Sequence, residues 1–244
     1  VTDKKFMKKY KVLMIMVLVL IIAAIGFLYV RKNADKDKGE TAFSTGFTML
    51  DDEKSLIWTE AVKLSDETRA QFEKKLAEAK ADLTKAEGKE AKLDGYSNLA
   101  IYEKYLGNYR ESYDAYLESL KLESQARITW QNFADVLLKI KAYKSAEMAY
   151  KKAVELNKYI PESYVKLADY YKAVNNDAMV EATYKLAIIT IKESMESDTL
   201  VLSDYADWLA GKKRYDEAIK IYEQLIVKQP GNKAAIERKI EKLK

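Results

Sequence analysis

The densest gathering of proton-handling side chains is YLGNYRESYDAYLESLKLE, Tyr105–Glu123, with four tyrosines, three glutamates and an aspartate in nineteen residues. Phenols beside carboxylates can relay protons, but they need partners. The 244-residue chain contains no histidine and no cysteine. That removes imidazole acid–base chemistry, thiolate nucleophiles, Cys/His zinc sites and disulfides together. It leaves the redox compartment open. Other chemical patterns fail on spacing. DKDKGE at Asp35–Glu40 resembles the opening of a calcium loop, yet the third acid is missing, lysines alternate with the aspartates, and the twelfth position is Gly46 rather than Glu. GKKR at Gly211 lacks the Ser or Thr and the glycine spacing of a phosphate-binding loop, and neither GxSxG nor HExxH occurs. The expectation is a protein with no catalytic residue, no metal and no cofactor.

The elements that carry these residues are helical. Glycine occurs 8 times and proline twice, too rarely for a sandwich or barrel of many hairpins. Charged residues make up 33% and apolar residues 48%, the balance of a folded globular chain. One stretch departs from it. VLMIMVLVLIIAAIGFLYV, residues 12–30, is nineteen residues without a charge, with Tyr10 and Tyr29 at its edges. At about 1.5 Å per residue it spans roughly 28 Å, close to a bilayer's hydrocarbon core. It outlasts the apolar region of a cleaved signal peptide and lacks a small-x-small site at its end, so it reads as a retained transmembrane helix. Five lysines precede it within residues 1–11, and Arg31, Lys32, Lys36 and Lys38 follow it. That slim difference places the N-terminus in the cytoplasm and the larger part outside. A start at Met7 would leave three lysines before the span and reverse the count.

The formal net charge of +4 sits in the first eleven residues; residues 31–92 sum to −1 and residues 93–244 to +1. A nearly neutral folded part argues against nucleic acid as a partner.

From Asp94 onward the sequence repeats. Tyr116, Tyr150, Tyr184 and Tyr222 recur at intervals of 34, 34 and 38, and so do Ala100, Ala134, Ala168 and Ala206. Leu99, Phe133, Leu167 and Tyr205 precede the alanines, and Tyr96, Trp130, Tyr164 and Leu202 lie three residues earlier again. Ser112, Ala146, Val180 and Ala218 come four before each tyrosine; Ser119, Ala153, Ala187 and Leu225 come three after it. GNY at Gly107–Tyr109, with the variants KAY at Lys141–Tyr143 and KRY at Lys213–Tyr215, marks the turn between two helices, and Pro161 and Pro230 stand at unit boundaries. Large–x–x–large–small followed by small–x–x–x–Tyr–x–x–small resembles the tetratricopeptide repeat (TPR), over about Asp94–Asn232. The resemblance implies an all-α fold: after the N-terminal transmembrane helix, an α-solenoid of antiparallel helix pairs wound as a right-handed superhelix. Tyr113 and Tyr116 then share a helix face, so the opening stretch is packing and not a phenolic site.

The expected organisation is a basic tail (1–11), the transmembrane helix (12–30), a juxtamembrane linker (31–51), a degenerate helical hairpin (52–92), four repeats (93–126, 127–160, 161–198 and 199–232) and a capping helix (233–244). In the hairpin, Phe72, Leu76, Ala79, Leu83 and Ala86 step by four, three, four and three, and Lys54–Leu64 is expected as the paired helix. A coiled-coil seam for the longer helix is too short to prefer. Two departures stand out. Glu103 occupies a position where the family prefers an aromatic or aliphatic residue, and the 38-residue interval calls for a longer helix or loop near Lys192–Thr199.

Stacked hairpins create a concave surface lined by their first helices. The residues expected to face it are Asn98 and Ile101, Asn132 and Asp135, Lys166 and Asp169, and Asp204 and Asp207. The resemblance implies binding of a protein or peptide segment there. Asparagines can hold a peptide backbone, and the aspartates would favour basic segments; simple solvation of a polar face is the plainer alternative. The family's chaperone-tail carboxylate clamp is matched by Asn132, only partly by Lys166, and not by Ser97, Ile101 or Glu162. The functional expectation is a membrane-anchored adaptor that scaffolds assembly or quality control at the envelope. The alternative is a structural or oligomerisation element of a membrane complex, with the oligomeric state left open.

Overall fold

The computed structural model describes residues 47–194 and 196–244. The basic tail, the apolar run at 12–30 and the connector through residue 46, including Asp35–Glu40, lie outside the described residues. Among the described residues no helix is long and apolar enough to cross a membrane.

Ten α-helices occur among the described residues. α1 (Asp66–Lys85) precedes four hairpins: α2 (Gly88–Leu106) with α3 (Tyr109–Leu122), α4 (Arg127–Lys139) with α5 (Tyr143–Leu156), α6 (Pro161–Ala173) with α7 (Asp177–Ile191), and α8 (Thr199–Gly211) with α9 (Tyr215–Lys228); α10 (Lys233–Glu241) closes the chain. Local chemistry sets several of the boundaries. Ser65 Oγ accepts the Thr68 amide at 3.2 Å ahead of two acidic residues in α1, Pro161 occupies the first turn of α6, and Asn176 Oδ1 accepts the Met179 amide at 3.2 Å to start α7. Each hairpin turns through one left-handed residue: Gly107 (φ 86°), Lys141 (φ 65°), Asn175 (φ 56°) and Lys213 (φ 60°). The extra residues of the third unit go mainly into its loop. α7 has 15 residues against 14 in α5, and Asp198 at the loop's end is buried and paired with Lys228 at 2.9 Å.

The backbones of successive first helices (α2, α4, α6 and α8) approach one another closely, whereas those of successive second helices stand farther apart. The stack therefore curves with the first helices inside. The recurring residues hold equivalent places in it. Ala100, Ala134, Ala168 and Ala206 are wholly buried, as are Tyr116 and Tyr184, with Tyr150 and Tyr222 at 2% exposure. Small residues bring the helices together and the rings fill the holes between them. Glu103 takes the position held by Leu137, Tyr171 and Leu209 in the other hairpins and is equally buried. Its carboxylate accepts from Lys80 of α1 at 2.8 Å and from Asn108 Nδ2 at 2.7 Å, so α1 supplies the counter-charge that lets an acid sit there.

Lys54–Leu64 differs from the helix expected for it. Glu53–Ser55 forms a single 3-10 turn, and the rest runs extended across the turns of the first two hairpins. α1 pairs instead with α2. The reason is visible in the alternation: Leu56, Trp58, Val62 and Leu64 are half-buried while Ile57, Thr59 and Lys63 are exposed, a period of two that suits an extended chain. The strap is bonded along its length. Ile57 N–H donates to Ile140 O at 3.1 Å, Glu60 N–H to Gly107 O at 3.0 Å, and Trp58 O accepts from the Tyr109 amide at 3.0 Å at the start of α3. Asp51 caps α5, its carboxylate accepting from the Lys144 and Ser145 amides at 3.2 and 2.9 Å. Phe47 is fully buried, with ring centroids 4.9 Å from Phe133 and 6.3 Å from Tyr113 and Trp130. Residues 47–51, expected as part of a free linker, are thus packed structure.

The strap explains why only the first hairpin turn uses glycine. A Cβ on Gly107 would lie 2.1 Å from Glu60 O. Gly107→Ala is expected to cost about 1–2 kcal/mol for the left-handed backbone alone and further stability through displacement of the strap. Lys141→Gly, at the equivalent turn, should stay within about 1 kcal/mol of the parent. Urea unfolding, with limited proteolysis at 52–64 to report strap release, distinguishes the two.

A second outcome concerns acid. Hydrogen bonds from Arg214, at 2.6 Å, and Lys185 hold the Glu181 carboxyl at about 2. A depressed carboxyl stabilises the fold above its unfolded value near 4.5 and loses that contribution as pH falls towards 2. The urea midpoint should fall across that window in the parent and more gently in Glu181→Gln.

Candidate functional site: the concave face

The inner helices bring the expected residues onto one curved surface and pair most of their charges. The unit that recurs is a phenol from a second helix reaching the inner surface to donate to an aspartate that also meets a lysine. Tyr150 OH donates to Asp135 Oδ1, while Asp135 Oδ2 faces Lys166 Nζ at 3.2 Å and Lys104 Nζ at 3.9 Å. Tyr222 OH donates to Asp207, which Lys239 of α10 grips at 2.7 and 2.9 Å. Between them the arrangement shifts by one unit. Tyr184 OH donates to Asp204 of the following hairpin, and Lys172 bridges Asp204 and Asp169 at 3.0 Å each.

Burial, reinforced by the neighbouring carboxylates, pushes the Tyr150, Tyr184 and Tyr222 phenols above their ordinary value, so they stay protonated donors. The rings serve as core and their oxygens as groove furniture.

The first hairpin breaks the pattern. Ile101 stands fifteen residues before Tyr116, where Asp135 and Asp207 stand before Tyr150 and Tyr222. Tyr116 Oη is accordingly buried with no hydrogen-bond partner among the described residues. Ile101 packs half-buried against the core. One turn further on Tyr105 is 45% exposed, stacked on Phe72 of α1 with centroids 4.9 Å apart. This end of the concave face is aromatic and apolar.

Lysines, more than aspartates, define the region beside it. Lys104 and Lys166 share the single carboxylate of Asp135, and Lys139 adds a third positive charge close to Lys104. Burial pushes the Lys104 ammonium below the ordinary lysine value, Asp135 opposes that shift, and Lys166 and Lys139 add to it. Asn98 is exposed and Asn132 half-buried, and neither side chain makes a hydrogen bond among the described residues. The expected aspartate ladder is therefore not a row of free anions: Asp135, Asp204 and Asp207 are each tied to a tyrosine and a lysine, and Asp169 to Lys172. Sequence reasoning missed Lys104, Lys172, Lys239, Phe72 and Tyr105. A readable signal existed for Lys172, three residues after Asp169 on the same helix face.

Tyrosine-to-phenylalanine substitutions separate the two kinds of phenol. Tyr116→Phe removes an unpartnered hydroxyl and should be neutral or slightly stabilising. Tyr150→Phe and Tyr222→Phe each take a donor from a carboxylate and should cost about 1–3 kcal/mol in thermal or urea unfolding.

No family model matches the sequence, and no curated protein matches it. Solved structures do match. TTC0263, a thermophilic TPR protein of Thermus thermophilus, superposes with a TM-score of 0.50 at 12% identity, over 72% of this chain and 92% of that one. MamA gives a TM-score of 0.49 at 18% identity, over 70% of this chain and 97% of that one. The match to TTC0263 establishes the fold alone: the described chain is an all-α, TPR-like solenoid.

Proposed function

We propose that the protein is a membrane-tethered adaptor whose solenoid holds a peptide segment of another protein along its concave face. The observation that carries this reading is the composition of the face at its first two hairpins. The amides of Asn98 and Asn132 have no intramolecular partner among the described residues, the Phe72–Tyr105 ledge is open to solvent, and Lys104 and Lys166 share one aspartate with Lys139 a further positive charge near Lys104. A peptide backbone would satisfy the amides, an apolar side chain would cover the ledge, and an acidic side chain would relieve the lysines. An acidic peptide with an apolar anchor fits better than a basic one, because the aspartates are already neutralised within the chain. The apolar run at 12–30 supplies the tether, and the lysine excess before it supports a cytoplasmic N-terminus with the solenoid outside. A scaffolding role in assembly or quality control at the envelope follows from that placement.

The test uses the full chain in detergent micelles and fluorescent peptides of equal length, acidic or basic, each with one aromatic residue. Anisotropy should rise with the acidic peptide, and Asn132→Ala with Lys139→Glu should weaken binding about tenfold or more, roughly 1.4 kcal/mol. Tighter binding of the basic peptide would overturn the polarity assigned to the partner. Binding of the acidic peptide unaffected by the substitutions would place the site elsewhere, and no binding of either peptide would remove this reading.

A further inference from the structure

The start of the strap shows how this solenoid fills a groove between two second helices. Between α3 and α5 the ring of Phe47 lies against Trp130 and Phe133, and the Leu50 N–H donates to Ser145 Oγ at 2.9 Å. One repeat interval of 34 residues further on, the equivalents of those three holding residues are Tyr164, Leu167 and Met179. Together with Val154 and Leu186 they wall a hollow of about 200 Å³ between α5 and α7. The socket that takes Phe47 is thus built a second time, and no described segment of the chain crosses it. The groove after it is closed, because Arg214 joins Glu181 of α7 to Glu217 of α9 at 2.6 Å each. The hollow is smaller than the roughly 300–1,000 Å³ of a small-molecule site, which suits one large side chain.

We infer that the α5–α7 groove receives an extended, uncharged segment of another protein, anchored by one aromatic ring in the hollow. The occupant is read from the repeat itself: the same walls, one unit earlier, hold an extended chain through one phenylalanine. The differences between the two grooves define its chemistry. Ser145 becomes Met179, Lys152 becomes Leu186 and Glu155 becomes Ile189, with Leu186 56% and Ile189 65% exposed. This groove therefore offers more apolar surface and fewer hydrogen bonds than the first. Asp51 supplies the cap of α5, whereas α7 is capped by its own Asn176, so the segment needs no acid there. The rim charges are already paired, Lys151 with Glu147 at 2.7 Å and Lys185 with Glu181 at 2.6 Å. The strap runs from Phe47 towards the first turn of α5, so in the second groove Leu186 and Ile189 meet residues that precede the ring. The partner accordingly carries an apolar residue a few positions before its aromatic one. This site lies on the outer side of the solenoid and does not rest on the concave-face reading.

The probe is a fluorescent peptide copying residues 43–50, which carries Phe43 four residues before Phe47. Its anisotropy should rise with the full chain in lipid nanodiscs, and the same peptide with Phe47→Ala should bind about tenfold more weakly. Ala182→Trp in the chain fills the hollow and Leu186→Glu charges its rim. Each should weaken binding about tenfold or more while leaving the helical circular dichroism unchanged. Asn132→Ala with Lys139→Glu, on the concave face, should leave it within about twofold, so the two sites are read separately. Binding that survives both Ala182→Trp and Leu186→Glu, as exchange with the strap in its own groove would, overturns the proposal. Equal binding of the Phe47→Ala peptide, or no binding of either, does the same. Two outcomes would refute it by assigning another occupant. Tighter binding to a Phe43→Ala chain would mean that the chain covers its own hollow. A scattering mass that rises with concentration in the parent and not in Leu186→Glu would mean that a second copy does.

Discussion

A pair of helices about fourteen residues long has two surfaces to cover and only one partner to cover them with. Each hairpin of this chain buries its second apolar side only by lying against the next hairpin. Everything else in the fold answers that constraint, including the problem of the two ends, where no further hairpin exists. At the C-terminal end α10 closes the stack with Ile236 and Ile240. At the N-terminal end the cover is larger: α1 against α2, and the strap 47–64 across the first two turns.

The N-terminal cover is chemically specific. Glu103 is buried because Lys80, itself exposed, reaches it from α1, so that helix supplies the counter-charge to a buried acid as well as acting as a lid. The strap supplies what the hairpins omit. Ala142 at the start of α5 has no capping side chain, and Asp51 provides the cap from ninety-odd residues away in sequence. Trp58 O does the same for the first amides of α3, and its ring stacks under Arg110 at 3.7 Å. Hydrogen bonds that a repeat would make locally are here made by a segment outside the repeats. The fold and the strap are therefore expected to unfold together.

The tyrosines join the core to the surface. Tyr150, Tyr184 and Tyr222 each present a ring to the interior and an oxygen to the concave face, so the positions of the groove aspartates are tied to the packing of the second helices. This coupling makes the inner surface a set of paired charges in the last three hairpins. It leaves the first, where Ile101 replaces the aspartate, apolar. The two faces of the solenoid consequently differ along its length: the inner face keeps its unbonded amides and exposed aromatic groups near α2 and α4, and the outer face exposes Leu186 and Ile189 on α7.

Much was legible in the residues themselves. The period of 34, the recurring alanine and tyrosine, and the prolines at unit boundaries determined helical hairpins stacked in register, because helix periodicity and steric size are local properties. So was the polar character of the inner face, from Asn98 to Asp207. What the residues could not reveal was which charges meet. Asp135 finds Lys166 and Lys104 on neighbouring hairpins, and Tyr184 takes Asp204 of the following hairpin while Lys172 bridges Asp169 and Asp204. The strap was misread for the same reason. A single extended segment carries a weak local signal, and its alternation gains meaning only when Gly107, Ile140 and Ser145 are arrayed beneath it. Local periodicity determined the elements; long-range hydrogen bonds and ion pairs, which depend on distances between residues far apart in sequence, were decided only by the tertiary structure.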